Sequence, residues 1–257
     1  MFIITALMTI PVGVAGIFIW PGTPARPNLL ILTQAELDQA KRRLAVYKTD
    51  ISNKTQKTRV QLLRHVFSDW KIYVLTIWAI LFWNAGATST GGYLLWLKSL
   101  KRFSSVKVNQ LGSTAPAMGI FYVLFINFSS DLFLGRTGAI AFAHTMNTTA
   151  MIILAVWNVP ESAKWVAFNL YYFQVAMSSV LYGWANDIMR HDIQERAVVL
   201  IFMNLVAQST TAWTPLLVFK TVEAPRFLKG WTFTGVSSFL TVVFTWAVVR
   251  NLYLREE

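Results

Sequence analysis

The sequence predicts an all-α polytopic membrane protein. Its apolar residues fall into seven separate runs, at 1–20, 72–97, 109–130, 138–157, 163–184, 198–219 and 232–250. A hydrocarbon core about 30 Å thick is crossed by about 20 helical residues, so each run is long enough to span a bilayer. Because the bilayer interior offers the backbone no water, we expect every one of these runs to be helical.

The composition agrees with a membrane protein. The chain is 55% hydrophobic and 14% charged, with a mean hydropathy of +0.47, whereas a soluble domain carries about 25% charged residues. It contains no cysteine, which excludes disulfide frameworks, zinc-thiolate sites and thiol catalysis. The net charge of +11 lies in loops beside the apolar runs, where an anionic leaflet is a better partner than nucleic acid. We therefore expect membrane lipid as a partner, and no nucleic acid, cofactor or metal.

The first run, 1–20, is predicted to be a membrane span kinked at Pro11. It lacks the basic start and the small-residue cleavage site of a signal peptide. The chain opens within apolar sequence, and seven spans is an odd number for a protein with internal symmetry. The sequence is therefore expected to be the back part of something longer, either a fragment or a truncated gene product.

The loop 21–71 is the one substantial polar segment. Thr33 and Glu36 form a capping-box pattern that predicts an amphipathic helix near 34–47. The basic residues 41–43 suit a helix on an anionic membrane face, or equally a solvated linker helix. This loop is the richest in lysine and arginine, and basic loops stay in the cytoplasm, so we place it there.

Polar side chains near the middle of the spans indicate a path for a solute. Transporters bind their solute near the membrane midplane, beside helices broken by glycine or proline. Polar groups that only hold helices together are the alternative. The polar stripes are Asn84, Thr88 and Gly91 on the second run, Tyr171, Gln174, Ser178 and Tyr182 on the fifth, and Asn204, Gln208, Thr211 and Pro215 on the sixth. Trp213 is expected to complete an aromatic wall with the two tyrosines.

Ionisable residues are sparse within the spans. His144 is the one ionisable side chain well inside a run, and it lies beside Asn147 on the fourth. Histidine can relay protons because its pKa is near 6.5, but a hydrogen-bonded packing role is the alternative. Any carboxylate that carries a proton, or any cation that holds an anionic substrate, would have to lie upstream of Met1.

Charged residues gather instead in two short hinges between spans. Oppositely charged groups beside a tight turn can latch helix bundles in one state and release them in another. Individual surface pairs contribute about 0–1 kcal/mol, so solvated loops are the alternative. The candidate gating residues are Asp131, Arg136, Asp187, Arg190, Glu195 and Arg196.

Residues in and around these hinges resemble a known family. The stretch 182–190, followed by Glu195, Arg196 and Ala197, is similar to the fungal anion:cation symporter (allantoate and pantothenate permease) branch of the major facilitator superfamily. The stretch 213–230 resembles the same family, as does the approach to the central loop at 20–36. Residues 91–98 most resemble its pantothenate-transporter members.

The resemblance implies twelve spans in two six-helix halves. The chain would hold the sixth span at 1–20, the cytoplasmic central loop at 21–71 and the C-terminal six-helix bundle at 72–251, without its N-terminal half. It implies proton-coupled symport of a small organic carboxylate, foremost pantothenate, across the plasma membrane by alternating access, and not an enzyme. Allantoate, nicotinate or biotin as substrate remain open, as does a truncated half-carrier that does not transport on its own.

The resemblance also implies roles for residues. In that fold the fourth and seventh of our spans face lipid, which makes His144 and Asn147 packing residues. Asp131, Gly135 and Arg136 resemble the superfamily's loop motif Asp-Arg-x-Gly-Arg, but one extra residue precedes the glycine, which puts the latch role of Asp131 in doubt. The expected substrate-binding residues are Asn84, Thr88, Tyr171, Gln174, Asn204, Gln208 and Trp213.

Overall fold

The computed structural model describes residues 2–23, 26–28, 32–51, 59–86, 90–190 and 192–256. The chain divides into two compact units, Met1–Lys57 and Thr58–Glu257. The first unit holds α1 (Phe2–Ile19), the two-residue antiparallel strands β1 (Gly22–Thr23) and β2 (Arg26–Pro27), and α2 (Gln34–Ile51).

The helix α1 forms from the first apolar run and contains Pro11. Its last carbonyls lack partners within the helix, as at every helix end. The side-chain amide of Asn28 donates hydrogen bonds to the carbonyls of Phe18 (3.3 Å) and Trp20 (3.1 Å). These two bonds satisfy backbone groups that would otherwise be open at this end.

The helix α2 begins with the reciprocal hydrogen bonds that the sequence predicts. The Thr33 backbone N–H donates to Glu36 Oε2 (2.9 Å), and the Glu36 N–H donates to Thr33 Oγ1 (3.4 Å). The backbone bond, followed by the threonine hydroxyl, holds the pKa of the Glu36 carboxyl below its ordinary value. The helix runs to Ile51, four residues beyond the predicted end at 47.

The second unit is helical along most of its described residues. Its elements are α3 (Arg59–Ser68), α4 (Trp70–Asn84), α5 (Gly92–Ser99), α6 (Ser105–Gly112), α7 (Thr114–Ser129), a π-helical turn (Ser130–Leu134), α8 (Gly135–Val156), α9 (Glu161–Leu170), a 3₁₀ helix (Tyr171–Met177), α10 (Ser178–Ile188), α11 (Ile193–Val218), a 3₁₀ turn (Thr221–Glu223), α12 (Leu228–Phe244), a second π-helical turn (Thr245–Val249) and α13 (Arg250–Glu256).

The predicted span at 72–97 is not one helix. The α-helix ends at Asn84, and the next begins at Gly92, after Gly91 with φ +67°. This left-handed backbone conformation strongly favours glycine. The prediction of one continuous helix across this run is therefore wrong.

The predicted spans at 109–130 and 138–157 form one helical stretch, Ser105–Val156, that folds back on itself. The rings of Phe125 and Phe142 lie 6.2 Å apart between centroids, whereas a straight helix would separate them by about 25 Å. The reversal follows the π-helical turn and coincides with Gly135, whose φ is +64°.

The predicted span at 163–184 contains two kinds of helix. The segment Tyr171–Met177 is wound as a 3₁₀ helix between α9 and α10. In this tighter winding, side chains three residues apart eclipse one another, so an α-helical wheel misplaces them.

Among the described residues, three helical stretches are long and apolar enough to cross a membrane. They are Ser105–Val156, Ile193–Val218 and Leu228–Leu254. A fourth is added if the bent pair Val60–Ser68 and Trp70–Asn84 counts as one span. Seven spans were expected; the structure interrupts the run 72–97 and changes helix type within 163–184, so neither is a single long α-helix.

The interior of the second unit packs in two apolar clusters. One surrounds the fully buried side chains of Trp78 and Phe82. The other is aromatic, with Tyr93 and Trp96 each stacked on Phe168 at 5.0 Å between ring centroids. Large apolar side chains such as Leu216, which is 74% exposed, remain on the outside. An outer surface of this kind suits lipid better than water.

Candidate solute cavity

Asn84 lies at the C-terminal end of α4 and connects it to α11. Its amide nitrogen donates to the carbonyl of Ile80 (2.9 Å) and to Thr210 Oγ1 (2.7 Å). The second bond joins residues from two of the predicted spans. The helix stops here, so the polar end of α4 faces the space between α4 and α11.

Gln174 approaches the same place from the 3₁₀ helix. Its side chain is 3% exposed, and Nε2 donates to the carbonyl of Phe82 at 2.9 Å. This approach requires a glycine at position 86, because a Cβ there would lie 2.7 Å from Gln174 Oε1. The broken end of α4 is thus held by an amide from a neighbouring span.

Gln208 and Thr211 face the space from α11. The Thr211 hydroxyl donates to the carbonyl of Gln208 (2.8 Å) and lies 3.4 Å from its Oε1. Gln208 is exposed, and Thr211 is half-buried. The Gln208 amide is therefore more accessible than the amides of Asn84 and Gln174, which are both buried.

These groups enclose a cavity of about 280 Å³. Its size falls just below the usual range of about 300–1,000 Å³ for ligand sites. The lining consists of Phe82, Trp83, Asn84, Gly86, Gln174, Val175, Ser178, Gln208, Thr211, Thr214, Pro215, Val218, Phe219, Phe233 and Thr234. This lining combines amides and hydroxyls with aromatic and aliphatic walls, and none of its described residues carries a charge.

The structure brings three of the expected substrate-binding residues to this cavity, namely Asn84, Gln174 and Gln208. Tyr171 lies instead in the aromatic cluster, 4% exposed, with its ring against Phe168. Trp213 is 53% exposed and is not part of the lining. Thr88 falls outside the described residues.

Asn204 takes part in a hydrogen-bonded bridge beside the cavity. Trp83 Nε1 donates to the Tyr182 hydroxyl (2.8 Å), which donates to Asn204 Oδ1 (3.2 Å). The bridge connects α4, α10 and α11. Asn204 and Tyr182 lie one helical turn beyond Gln208 and Ser178, toward the charged ends of their helices.

The two predicted hinges are joined by an ion pair between Arg136 and Asp187, each of whose side chains is 38% exposed. Arg136 follows the π-helical turn, which holds one residue more per turn than an α-helix. That turn ends at Leu134, directly before Gly135. The Asp131 side chain is exposed, and the ion pair is made by Arg136.

The remaining charges of the second hinge organise the start of α11. Asp192 caps the helix by accepting from the N–H groups of Gln194 (2.9 Å) and Glu195 (3.2 Å). Glu195 also lies 2.8 Å from His65 Nε2 of α3. Arg190 is exposed and Arg196 half-buried.

His144 and Asn147 are packed between α8 and α12 behind the cavity. His144 Nδ1 lies 2.9 Å from Ser238 Oγ, and Asn147 Nδ2 donates to Ser238 Oγ (3.1 Å) and to the Ala85 carbonyl (2.9 Å). His144 Nε2 and Asn147 Oδ1 are buried and have no hydrogen-bond partner among the described residues. Neither side chain lines the cavity.

Several lining residues were not expected from the sequence. Gly86 lies two residues after Asn84, and a glycine there could have indicated that another side chain approaches the backbone closely. Phe219, Phe233 and Thr234 gave no local signal, because they reach the cavity only through packing between separate helices.

The chain matches curated proteins along its whole length. The vitamin H transporter of Saccharomyces cerevisiae is 34% identical over 264 residues, which cover 100% of this chain and 44% of that protein. A pantothenate transporter of Schizosaccharomyces pombe is 28% identical over 233 residues, covering 90% of this chain and 44% of that protein. A pantothenate transporter of Saccharomyces cerevisiae is 27% identical over 277 residues, covering 100% of this chain and 51% of that protein.

The chain thus spans about half the length of the curated relatives it matches. No family model matches it, and no solved structure matches it.

Proposed function

We propose that this chain, a homologue of fungal transporters of the major facilitator superfamily over its full length, supplies one wall of the solute path of a secondary transporter for a small organic carboxylate. The observation that carries the proposal is the cavity between α4, the 3₁₀ helix and α11, where three amides from separate spans meet. Convergent neutral hydrogen-bonding groups between helices are typical of transporter sites.

The proposed substrate is a vitamin-like carboxylate, foremost pantothenate. Two relatives are named pantothenate transporters and a third a vitamin H transporter, which keeps biotin as an alternative beside allantoate and nicotinate. The described lining offers amides and hydroxyls but no charge. We therefore assign it the amide, hydroxyl or ureido part of the substrate, and we assign the carboxylate to a cation outside this lining.

The proposed mechanism is alternating access with proton coupling at the plasma membrane. In this scheme residues 1–20 are the sixth span, 21–71 the cytoplasmic central loop and 72–251 the C-terminal bundle. An N-terminal half supplies the opposite wall of the path, since alternating access needs two bundles that rock about one site.

The proposed cytoplasmic gate has two levels. The bridge from Trp83 through Tyr182 to Asn204 lies next to the cavity. The ion pair between Arg136 and Asp187 lies farther along, where the two hinges meet. Opening toward the cytoplasm would separate α10 from α4 and α8, and both levels would then release together.

Uptake of radiolabelled pantothenate and biotin tests the site in cells that express this chain together with the N-terminal half of a relative, with the apparent affinity taken from the KM. Gln208→Ala is the sharper variant, because among the described residues the Gln208 side chain hydrogen-bonds only to Thr211 of its own helix. One hydrogen bond contributes about 0.5–1.5 kcal/mol, so we expect affinity to fall by about twofold to tenfold. Gln110→Ala, at an exposed amide outside the cavity, is the matched control. If the Gln208 variant, the Gln110 control and the unchanged chain all had the same affinity, the proposal that Gln208 contacts the substrate would be wrong.

A half-carrier without independent transport is the second candidate. It is favoured because the cavity is walled by one bundle and because the chain spans about half the length of its relatives. Uptake is measured in cells that express these 257 residues alone, and in cells that also express the N-terminal half of a relative. Uptake only with both pieces supports the half-carrier, whereas uptake by the chain alone discards it.

A further inference from the structure

The helix α3 is set sharply against the span that follows it. The axes of Val60–Ser68 and Trp70–Asn84 differ by 71°. Asp69 forms the corner by accepting a hydrogen bond from the Lys71 N–H (3.0 Å), and the Tyr73 hydroxyl donates to the Phe67 carbonyl (2.9 Å). If α4 crosses a membrane near its normal, α3 lies close to the membrane plane.

One flank of α3 packs on the helical bundle. Val66 is 2% exposed and belongs to the main apolar cluster, against which Leu62 also packs. The ring of Phe67 meets that of Phe202 on α11, edge to face, at 5.0 Å between centroids. The helix is therefore fixed to the bundle and has a defined orientation about its own axis.

A second flank is apolar and exposed. Val60 is 76% exposed, Leu63 46% and Phe67 38%, and α-helical spacing puts the three on one side. Trp70 and Tyr73, each about half exposed, follow in the first turn of α4 just after the corner. Tryptophan and tyrosine are enriched where a protein meets the boundary between lipid chains and headgroups.

The third flank is polar. Arg64 and Ser68 are exposed and lie on one side of α3. His65, with 56% of its side chain exposed, lies farther round and is paired with Glu195 at 2.8 Å, so Arg64 supplies the positive charge of this flank. A helix with a packed flank, an apolar exposed flank and a basic polar flank matches the pattern of helices that lie in a membrane interface. The net charge of the chain, +11, adds attraction to an anionic surface.

We propose that α3 lies in the membrane interface and binds anionic phospholipid there. Val60, Leu63 and Phe67 contact the upper acyl chains, and the Arg64 guanidinium contacts the headgroup phosphate and carboxylate. A long basic side chain can extend from an apolar boundary to the headgroups, as this position requires. The site is independent of the solute cavity and of any substrate.

The absence of cysteine from the sequence makes a clean test possible. Val60→Cys is labelled with a small fluorophore, and the full chain is reconstituted into phosphatidylcholine vesicles with and without phosphatidylserine. Quenching by brominated phosphatidylcholine reports contact with acyl chains. The ratio of quenching by brominated phosphatidylserine to that by brominated phosphatidylcholine reports the headgroup preference.

We expect strong quenching of the label at position 60 and weak quenching at position 68 on the polar flank, introduced as Ser68→Cys. Adding Arg64→Ala to the Val60 variant should lower the phosphatidylserine preference about fivefold, as expected for one basic residue near an anionic surface. Arg64→Lys should retain the preference, because it keeps the charge. Arg226→Ala, in the loop between α11 and α12, is the matched control and should leave the preference unchanged.

Three results would overturn the proposal. Equal quenching at positions 60 and 68 would mean that α3 does not present its apolar flank to lipid. A phosphatidylserine preference that survives Arg64→Ala, or that falls equally with Arg226→Ala, would mean that the headgroup is not bound at α3.

Discussion

Gly86→Ala should destabilise the bundle through one identifiable side chain. The new Cβ would lie 2.7 Å from Gln174 Oε1 and 3.0 Å from its Cδ. Both distances are too short for non-bonded contact, and the amide is the end of a flexible side chain, so the amide turns away. Turning breaks the 2.9 Å hydrogen bond that Gln174 Nε2 donates to the Phe82 carbonyl.

The magnitude follows from two opposing effects. Loss of a buried hydrogen bond, with one partner left unsatisfied, costs about 1–3 kcal/mol. The alanine recovers about 0.4–1 kcal/mol by restricting the unfolded chain, since Gly86 does not need a positive φ. The net expectation is a loss of about 1 kcal/mol in the free energy of unfolding.

The sign of the effect should reverse when Gln174 is removed. In a Gln174→Ala background neither the clash nor the hydrogen bond remains, so Gly86→Ala should stabilise by about 0.5 kcal/mol. The double-mutant cycle should therefore give a coupling of about 1.5 kcal/mol, far above the value for independent sites.

Chemical denaturation of the full chain in detergent, followed by circular dichroism, measures all four members of the cycle. Gly183→Ala is the control, because no atom lies within 4 Å of its added Cβ. It should be neutral or stabilising, as expected for a helical glycine. Equal effects of Gly86→Ala with and without Gln174 would refute the contact between the two residues.

Three further outcomes are expected. Arg136→Ala and Asp187→Ala should each lower the free energy of unfolding by at most about 1 kcal/mol, and the double variant by no more than the larger single loss. Because salt screens an ion pair, these losses should be smaller when unfolding is measured at high salt. The Glu36 carboxyl has a lowered pKa in the folded chain, so its contribution to the stability of the start of α2 is complete above the unfolded-state pKa and is lost as pH falls through the lowered value. Hydrogen exchange of the backbone amides in the first turn of α2 should therefore become faster in acid. Glu36→Gln should abolish that pH dependence. Ser238→Ala leaves the buried side chains of His144 and Asn147 without their shared partner and should lower the free energy of unfolding by about 1–3 kcal/mol, measured by chemical denaturation. The control Thr232→Ala, at an exposed hydroxyl that bonds within its own helix, should lower it by less than about 0.5 kcal/mol.

Features set by short-range rules could be predicted from the sequence. The start of α2 was predicted because Thr33 and Glu36 interact across one turn, where sequence spacing determines geometry. Asn84, Gln174 and Gln208 were expected at one depth because residue count measures height along a helix. Their meeting at one cavity agrees with that expectation. Their contact with a solute stays a prediction.

Features set by packing could not be predicted in the same way. Tyr171 was assigned to a polar stripe from α-helical spacing, but its segment is wound as a 3₁₀ helix and its ring packs among other aromatic side chains. Asn204 was assigned to the solute, but its oxygen accepts a hydrogen bond from Tyr182. Pairings between separate helices depend on how the helices rotate against each other, which one sequence does not specify.

A change in the winding of the 3₁₀ helix Tyr171–Met177 would alter the length of the predicted span at 163–184. Rewinding its seven residues into α-helix would shorten the span by about 3.5 Å, because the rise falls from about 2.0 to about 1.5 Å per residue. The same change would turn α10 by about 140° relative to α9, since each residue then turns the chain about 20° less. Ser178 would move off the cavity wall, and Tyr182 would move away from its partners Trp83 and Asn204. The winding of one segment thus determines both the reach of this span and the side chains it presents to the solute path.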